Sequence, residues 1–560
     1  MDETRESPAE KLLIIGGVAG GASAAARARR LCERCEIIVF EKGPYVSFAN
    51  CGLPYYVGNV IREQEKLLVA SPELFRSRFN IEVRTNSQVT AIDRGGHEVE
   101  VREVDGGRVY RESYTKLILA PGAHAVVPPL PGVDLPGVFV LRTIPDSRRI
   151  RAWIDEEAAR RAVIVGAGFI GLEMAENLKR RGLEVAVVEM ARQVMPPLDE
   201  EMAVAVEERL VEEGIEVVLG DGLSSIEESA DGLSVKTASG KTLAADLVLL
   251  AIGVRPEVTL ARDCGLALGT SGGIQVDEGM RTSDPDIFAV GDAVDTTDIV
   301  TGAEVVVPLA GPANRQGRIA ANAIFGRPAR FRGVQATAVC GVFGLTVAMT
   351  GASEKALRRS GCEEYEAIYL HPGHHVGYYP GAQPIHLKLI FRPCDGRVLG
   401  AQAVGGEGVA RRIDVVAIAI QQGMTVYDLE EAELCYAPQY GAAKDPVNLA
   451  GMIAANVLRG DHPLAHWNEL QTAENPFLLD VRSSDEFAAG HVGGAVNIPL
   501  DELRDRLDEL PSDREVWTYC AVGQRAYYAT RALVQRGVRV RNLSGGYQTY
   551  VARRDSGRDR

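Results

Sequence analysis

Two cysteines in opposite halves of this chain sit where sulfur chemistry needs them. Cys51 lies in Ser47-Phe48-Ala49-Asn50-Cys51-Gly52-Leu53-Pro54-Tyr55-Tyr56, shortly after a strand that ends in Glu41. A redox disulfide of C-x4-C spacing would need a second cysteine at position 56, which is Tyr56. Cys51 must therefore cycle against an external sulfur partner, or through an oxidised form of its own sulfur. Cys520 ends the strand EVWTYC (515–520) and opens a loop, Cys520 to Arg525, that runs into a helix. Such a loop aims backbone N–H groups at the sulfur and stabilises a thiolate or persulfide. Arg525 would assist with anionic sulfur donors. The nucleophile is a thiolate, so the Cys51 pKa is expected to be lowered by cations or by the helix that starts beside it.

These sulfurs need elements to position them. The strand LLIIGG (12–17) runs into the helix ASAAARARRL and returns as IIVFE (37–41). The same βαβ pattern recurs over 162–189, with AVIVG, the turn GAGFIG, a helix and VAVVE. Gly166, Gly168 and Gly171 fit G-x-G-x-x-G around Phe169 and Ile170, and Glu189 closes the next strand. The glycines let a pyrophosphate approach the backbone over a helix N-terminus. A carboxylate at the strand end binds a ribose 2′-OH and repels a 2′-phosphate, which favours NADH over NADPH. Arg192 nearby could still serve a phosphate, so NADPH stays open. In the first turn Gly16, Gly20 and Gly21 flank Ala19, but Val18 replaces the middle glycine of the pattern. Glu41, placed like Glu189, and the later DIFAVGDA (286–293) support that site all the same. Two such units predict two dinucleotide sites, the second embedded in the first.

The expected fold is α/β. Two nested Rossmann-like domains are followed by an α+β domain holding IHLKLIF (385–391) and RRIDVVAIAIQQG (411–423), and then by a small α/β module. The boundaries read as 1–115 with 255–329, 116–254, 330–455, a linker at 456–473, and 474–556; residues 551–560 are charged and expected to fray. At 560 residues with 46% hydrophobic and 24% charged content, this is ordinary globular composition. A net charge of −15 argues against nucleic acid as a partner. No apolar window reaches the length of a membrane span, and MDETRESPAE lacks a basic leader. Nine scattered cysteines look like reduced thiols of a cytoplasmic protein. Arg27, Arg29, Arg30 and Arg34 cluster on the first helix, where Arg27 and Arg30 share a face that could hold an anion. Cys32 and Cys35 on that helix read as incidental. His371, His374 and His375 read as a polar loop, and no metal site is expected.

The order and spacing of these motifs over about residues 10–455 resemble the pyridine nucleotide–disulfide oxidoreductase family. In such flavoproteins Asp292 corresponds to an aspartate that binds flavin ribityl or phosphate groups. LILAPGA (117–123), with Ala120 and Gly122, and LLAIGVRP (249–256), with Gly253, resemble the crossings between domains. Lys42 and Ala310 complete the cofactor set that the resemblance implies, with FAD in the first site and NADH in the second. Among single-cysteine members, peroxidase-type enzymes resemble G-x-x-H-G-G; here Ala19 replaces that histidine, which disfavours peroxide chemistry. GGVAGGASAAARARR and SFANCGLPYY instead resemble coenzyme A-disulfide reductases. That resemblance implies Cys51 as redox nucleophile, and CoA held by Ser23, Arg27, Arg30, Ser47, Asn50 and Lys444. It also implies a homodimer in which Tyr436 and Tyr379, or its neighbour Tyr378, reach the partner's site and donate to a thiolate. LLDVRSSDEFAAGHVGGAVNIPL (478–500), YCAVGQRA and LSGGY resemble a single rhodanese domain, with Asp480 and Arg482 bracing the fold. Ala521 stands where such loops often carry charge, which puts thiosulfate as donor in doubt. The fusion implies reduction of CoA persulfide or polysulfide, with CoA disulfide as runner-up and a water-forming NADH oxidase or peroxidase as the distant alternative.

Overall fold

The computed structural model describes residues 10–555. The opening stretch read as lacking a basic leader, residues 1–9, and the end of the charged tail, 556–560, lie outside the described residues. The chain divides into two compact units, one of residues 1–190 with 221–334, the other of 191–220 with 335–560.

In the first unit, strands of almost purely aliphatic residues form parallel sheets, because both faces are covered. One sheet orders Ile287–Ala289, Lys116–Leu119, Lys11–Ile15, Glu36–Phe40 and Glu82–Arg84 as parallel neighbours. The strand from DIFAVGDA thus returns to the first sheet, and Lys116–Leu119 pairs there as well. A second sheet sets Glu184–Glu189, Arg161–Val165, Leu247–Leu250 and Val138–Phe139 side by side, again parallel. The helices Ala19–Leu31 and Ala310–Ile324 pack against each other over the first sheet, sharing a core with Ile14, Val39 and Phe288. Small residues permit this close crossing: a Cβ at Gly317 would meet the Gly20 carbonyl oxygen at 2.2 Å.

In the second unit, an antiparallel sheet orders Ala338–Val342, Leu345–Gly351, Val398–Gly405, Ile385–Phe391 and Glu366–Leu370. A separate parallel sheet orders Leu464–Ala465, Val540–Leu543, Val516–Tyr519, Phe477–Asp480 and Val496–Asn497. The stretch 456–473 therefore supplies an edge strand, and Trp467 is buried in that module's core. The C-terminal helix Gly546–Asp555 packs on the helix Glu200–Glu212, so residues 551–555 are helical where the charge pattern predicted fraying.

Lys388 shows what holds this unit together. Its side chain is fully buried, and Nζ lies 2.8 Å from Asp199, 2.6 Å from Glu201 and 2.5 Å from Glu354. These three carboxylates could cage a cation, and the ammonium is the cation they hold. His371 shares a proton with His386 across 2.8 Å and meets Thr549 through its other ring nitrogen. His374 instead accepts from the Gln383 amide, and His375 meets the Val376 carbonyl.

One expectation is corrected here. Cys32 and Cys35 form a disulfide, while the other seven cysteines are free. Arg29 brings the two together. Its buried guanidinium donates to the carbonyls of Cys32, Glu33 and Cys35, and to those of Phe79 and Asn80. The loop is therefore folded back on itself with its Cα atoms 5.6 Å apart, within disulfide range.

Candidate functional site

The two glycine-rich turns are built alike. Glu41 accepts from the Gly17 amide at 3.0 Å and Glu189 from the Ala167 amide at 2.7 Å, so each carboxylate ties its turn to the next strand. In both turns the last glycine is compulsory: a Cβ at Gly21 would lie 1.9 Å from the Gly16 carbonyl oxygen, and one at Gly171 equally close to that of Gly166. Gly16 is also pressed against the Ala120 carbonyl, at a φ of +94°. Gly168 differs, because a Cβ there meets no protein atom within 4 Å. That space matches the pyrophosphate approach its motif implies.

The helices that begin at Ala19, Phe169 and Ala310 carry no acidic residue in their first turns. Their N-terminal dipoles are left for external anions. Asp292 is held by Arg142 at 2.6 Å. Lys42 is exposed, and Gly122 and Gly253 take positive φ values at the two crossings, where the short strands Ala123–Ala125 and Val254–Pro256 pair. These residues fit an FAD and a nicotinamide dinucleotide.

Cys51 sits in the turn Asn50–Gly52 that leads into the short helix Leu53–Val57. Its surface is open, yet protein atoms crowd the sulfur, and that desolvation pushes the thiol up. Glu173 adds to the rise, while the local backbone amide and Arg142 oppose it. The expected lowering is therefore corrected: burial of the sulfur, with Glu173 and Asp292 adding to it, outweighs the amide and the Arg142 cation. Asn50 donates to the Arg142 carbonyl, while its buried Oδ1 has no partner among the described residues. Ser47, in a left-handed conformation, is tied by its amide to the Gly17 carbonyl, which docks the cysteine segment on the first turn.

Arg27 anchors on Asn322 at 2.8 Å, and Ser23 bonds Asn314, both across to the helix Ala310–Ile324. Desolvation, with the neighbouring guanidiniums of Arg318, Arg30 and Arg327, pushes Arg27 down. Four arginines thus share one cationic patch. Arg318 and Arg327 were not legible as members, because they lie almost 300 residues along the chain.

In the second unit the Tyr436 hydroxyl meets that of Tyr378 at 2.9 Å, whereas Tyr379 lies edge-on to His375. The bond to Tyr436 pushes the Tyr378 phenol up, which keeps it a proton donor. Tyr378, Tyr379 and Tyr436 are exposed, as is Lys444. Cys520 is buried, and its sulfur accepts from the Gly523 amide at 3.2 Å. Arg525 spends its charge on Glu486 in a two-pronged pair at 2.7 and 2.6 Å. That pair pushes the Glu486 carboxyl down to about 2. Asp480 and Arg482 form a buried brace, with the Arg482 guanidinium over the Tyr547 ring. Glu173, Arg142 and Glu486 carried no motif signal, and only this geometry identifies them.

The chain is similar in sequence and structure to known proteins. A solved structure of Bacillus anthracis CoADR-RHD shares 46% identity over 98% of each chain, with a TM-score of 0.96. An NAD-dependent persulfide reductase from A. fulgidus shares 40% identity over 96% of this chain and all of its own, at 0.90. An NADH oxidase of Methanocaldococcus jannaschii is 38% identical over 79% of this chain and 97% of its own length. A coenzyme A disulfide reductase of Staphylococcus haemolyticus is 34% identical over 80% of this chain and its whole length. A rhodanese-like domain matches residues 464–553, and the dimerisation domain of pyridine nucleotide-disulphide oxidoreductases matches 337–445. Their main domain matches residues 10–317, and the chain belongs to the pyridine nucleotide-disulphide oxidoreductase family.

Proposed function

We propose that this enzyme uses NADH, through FAD, to reduce the sulfur–sulfur bond of a CoA persulfide or polysulfide at Cys51, releasing sulfide. CoA disulfide is a second substrate of the same site. The observation that carries the reading is the lone Cys51, docked by Ser47 on the first glycine-rich turn, in a unit that also holds the Arg27–Arg30–Arg318–Arg327 patch. A CoA thiol carries a 3′-phosphate and a pyrophosphate, and four guanidiniums answer that charge. Bound FAD would relay the hydride's electron pair from NADH to the sulfur site. The relatives called persulfide reductase and coenzyme A disulfide reductase support this reading.

Cys51 thiolate attacks the outer sulfur of R–S–SH, and a Cys51–S–SH bond forms as the R–S bond to that sulfur breaks. Tyr378 and Tyr436, exposed and hydrogen-bonded, would donate to the departing thiolate across a homodimer. Cys520 would carry sulfane sulfur as a persulfide, held by the Gly523 amide. No helix among the described residues is long and apolar enough to cross a membrane, and a cytoplasmic enzyme is the fitting setting.

The test is NADH consumption with CoA persulfide, CoA disulfide and hydrogen peroxide in parallel. Faster turnover with persulfide supports the reading, and a preference for peroxide overturns it. Cys51→Ser should abolish sulfur reduction with every substrate. Cys520→Ser should spare CoA disulfide reduction but remove transfer from a sulfane donor. If Cys520→Ser leaves that transfer intact, the coupled-domain part of the reading fails.

A further inference from the structure

His462 lies in the stretch 456–473, which reads as a linker, yet it is built into the C-terminal module. Its amide donates to the Asn456 carbonyl, and Arg531 holds the preceding residue, Asp461, by both its carbonyl and its carboxylate. The carbonyl of the following residue, Pro463, accepts from the Asn542 amide. The imidazole is buried and packs on the Tyr527 ring, with centroids 4.7 Å apart.

The imidazole meets a buried side chain that reaches the sulfur loop. Asn542, on the strand Val540–Leu543, sets its Nδ2 2.7 Å from His462 Nε2 and 3.3 Å from the Gly523 carbonyl oxygen. Gly523 is the residue whose amide donates to Cys520 Sγ at 3.2 Å. It stands at a φ of +94°, where the loop turns into the helix Gln524–Val534. Its carbonyl also accepts from the Tyr527 amide within that helix start. Asn542 uses the second lone pair of the same oxygen and ties the loop to the neighbouring strand. An unbroken run of contacts thus leads from His462 through Asn542 and Gly523 to Cys520.

The chemistry of the two side chains leaves one arrangement. The Gly523 oxygen only accepts, so the Asn542 atom facing it is the NH2 and not the amide oxygen. That NH2 only donates, so His462 Nε2 is the bare nitrogen and the ring proton sits on Nδ1. A charged imidazole would carry protons on both nitrogens and turn the amide over, setting oxygen against oxygen at Gly523. Burial, with the Arg531 guanidinium adding to it, pushes the imidazole down to about 4, which keeps it neutral.

We propose that His462 and Asn542 are positioning residues of the sulfur site. Neutral His462 orients the Asn542 amide, which pins Gly523 so that its N–H stays on the Cys520 sulfur. Both roles deepen the reading of Cys520 as the carrier of sulfane sulfur, and rest on it. Arg525 on the same loop is shared with Glu486, so the aim of the backbone donor weighs more in holding negative charge on the sulfur.

The experiment is the pH profile of Cys520 modification by methyl methanethiosulfonate, a small thiolate-selective reagent, in the flavin-loaded full chain. The Cys520 peptide is read by mass spectrometry. Asn542→Ala loosens Gly523, so the midpoint should rise by about half to one pH unit, the scale of one hydrogen bond. Below the midpoint, modification should be about three- to tenfold slower. His462→Leu should show the same rise, because the amide loses its acceptor. His462→Gln, whose amide oxygen can accept from Asn542, should keep the wild-type midpoint; a packing role alone predicts no such split. His462→Leu combined with Asn542→Ala should add nothing to either change alone. If Asn542→Ala does not fold, the two His462 variants decide. An unchanged or lowered midpoint in folded Asn542→Ala or His462→Leu overturns the proposal, as does a rise in His462→Gln equal to that in His462→Leu. Thiosulfate turnover with cyanide is measured alongside in the wild type. Its absence, with the midpoint shifts intact, would sink the carrier reading and leave the two positioning roles standing.

Discussion

Replacing Lys388 by methionine tests how the second unit is held together. The side chain is fully buried, and its ammonium touches Asp199, Glu201 and Glu354 at hydrogen-bonding distance. Methionine fills similar volume, so the change removes charge more than packing. Breaking a buried ionic group by deleting one partner costs about 3–5 kcal/mol, because the others are left buried and uncompensated. At roughly 2–4 °C per kcal/mol for a unit of 150–250 residues, the melting midpoint should drop by about 6–20 °C. The pH dependence carries the sharper test. In the wild type, burial pushes Glu201 and Glu354 up, but the Lys388 charge more than offsets it and both lie below the ordinary range. Their stabilisation is therefore present above the ordinary carboxylate pKa and lost as pH falls through the lowered values. Without Lys388, burial raises both carboxyls, so the variant is penalised at high pH and relieved by protonation. The gap between the two proteins should be widest at pH 8 and narrow toward pH 5. Adding Glu201→Gln and Glu354→Gln to Lys388→Met should recover most of the loss. A gap that is independent of pH, or no gap at pH 8, would refute the reasoning.

The two turns invite a paired test. Gly168→Ala should fold normally, since its Cβ meets no protein atom, but should raise KM for NADH well over tenfold. Gly171→Ala should lower the melting temperature, because its Cβ collides with the Gly166 carbonyl; equal behaviour of the two would count against the cradle. Glu486→Gln should free Arg525 and lower the KM for thiosulfate in a cyanide assay about tenfold, the scale of one charge-assisted hydrogen bond. No change would mean that Arg525 does not face the donor. The Glu486–Arg525 pair should persist on acidification and be lost only as pH falls through about 2, read as a loss of the Gln variant's thiosulfate advantage at no higher pH. Under denaturing, non-reducing conditions the protein should show seven reactive thiols, rising to nine after reduction, and a starting count of nine would remove the Cys32–Cys35 bond.

What the sequence made legible was whatever is local. The glycine spacing, the carboxylates at the strand ends, the strand Ile385–Phe391 and the Cys520 loop are each written within a few dozen residues. What it concealed depends on contacts across long separations. Arg318 and Arg327 join Arg27 only because small residues let two distant helices cross closely. The Cys32–Cys35 bond needs Arg29 to clamp carbonyls of residues 79 and 80, which no spacing rule encodes. Tyr378 rather than Tyr379 meets Tyr436 because of the loop's own turn, where alternation along the chain gives no hint. Glu173 looked like one more polar residue on a helix until the fold joined it to the Tyr55 hydroxyl, 118 residues earlier in the chain.

The two sulfurs have opposite surroundings, and this bears on the order of events. At Cys520 the sulfur accepts from a backbone donor, the Gly523 amide, and Arg525 stands on the same loop and acts on the sulfur. Donors of that kind stabilise an anionic persulfide. At Cys51 burial holds the thiol up, and the Glu173 carboxyl adds to that rise. An anionic persulfide would be stable on Cys520 and poorly tolerated on Cys51, where the sulfur is best accepted neutral and reduced at once. Under the function proposed above, sulfane sulfur would be held at Cys520 and reduced at Cys51.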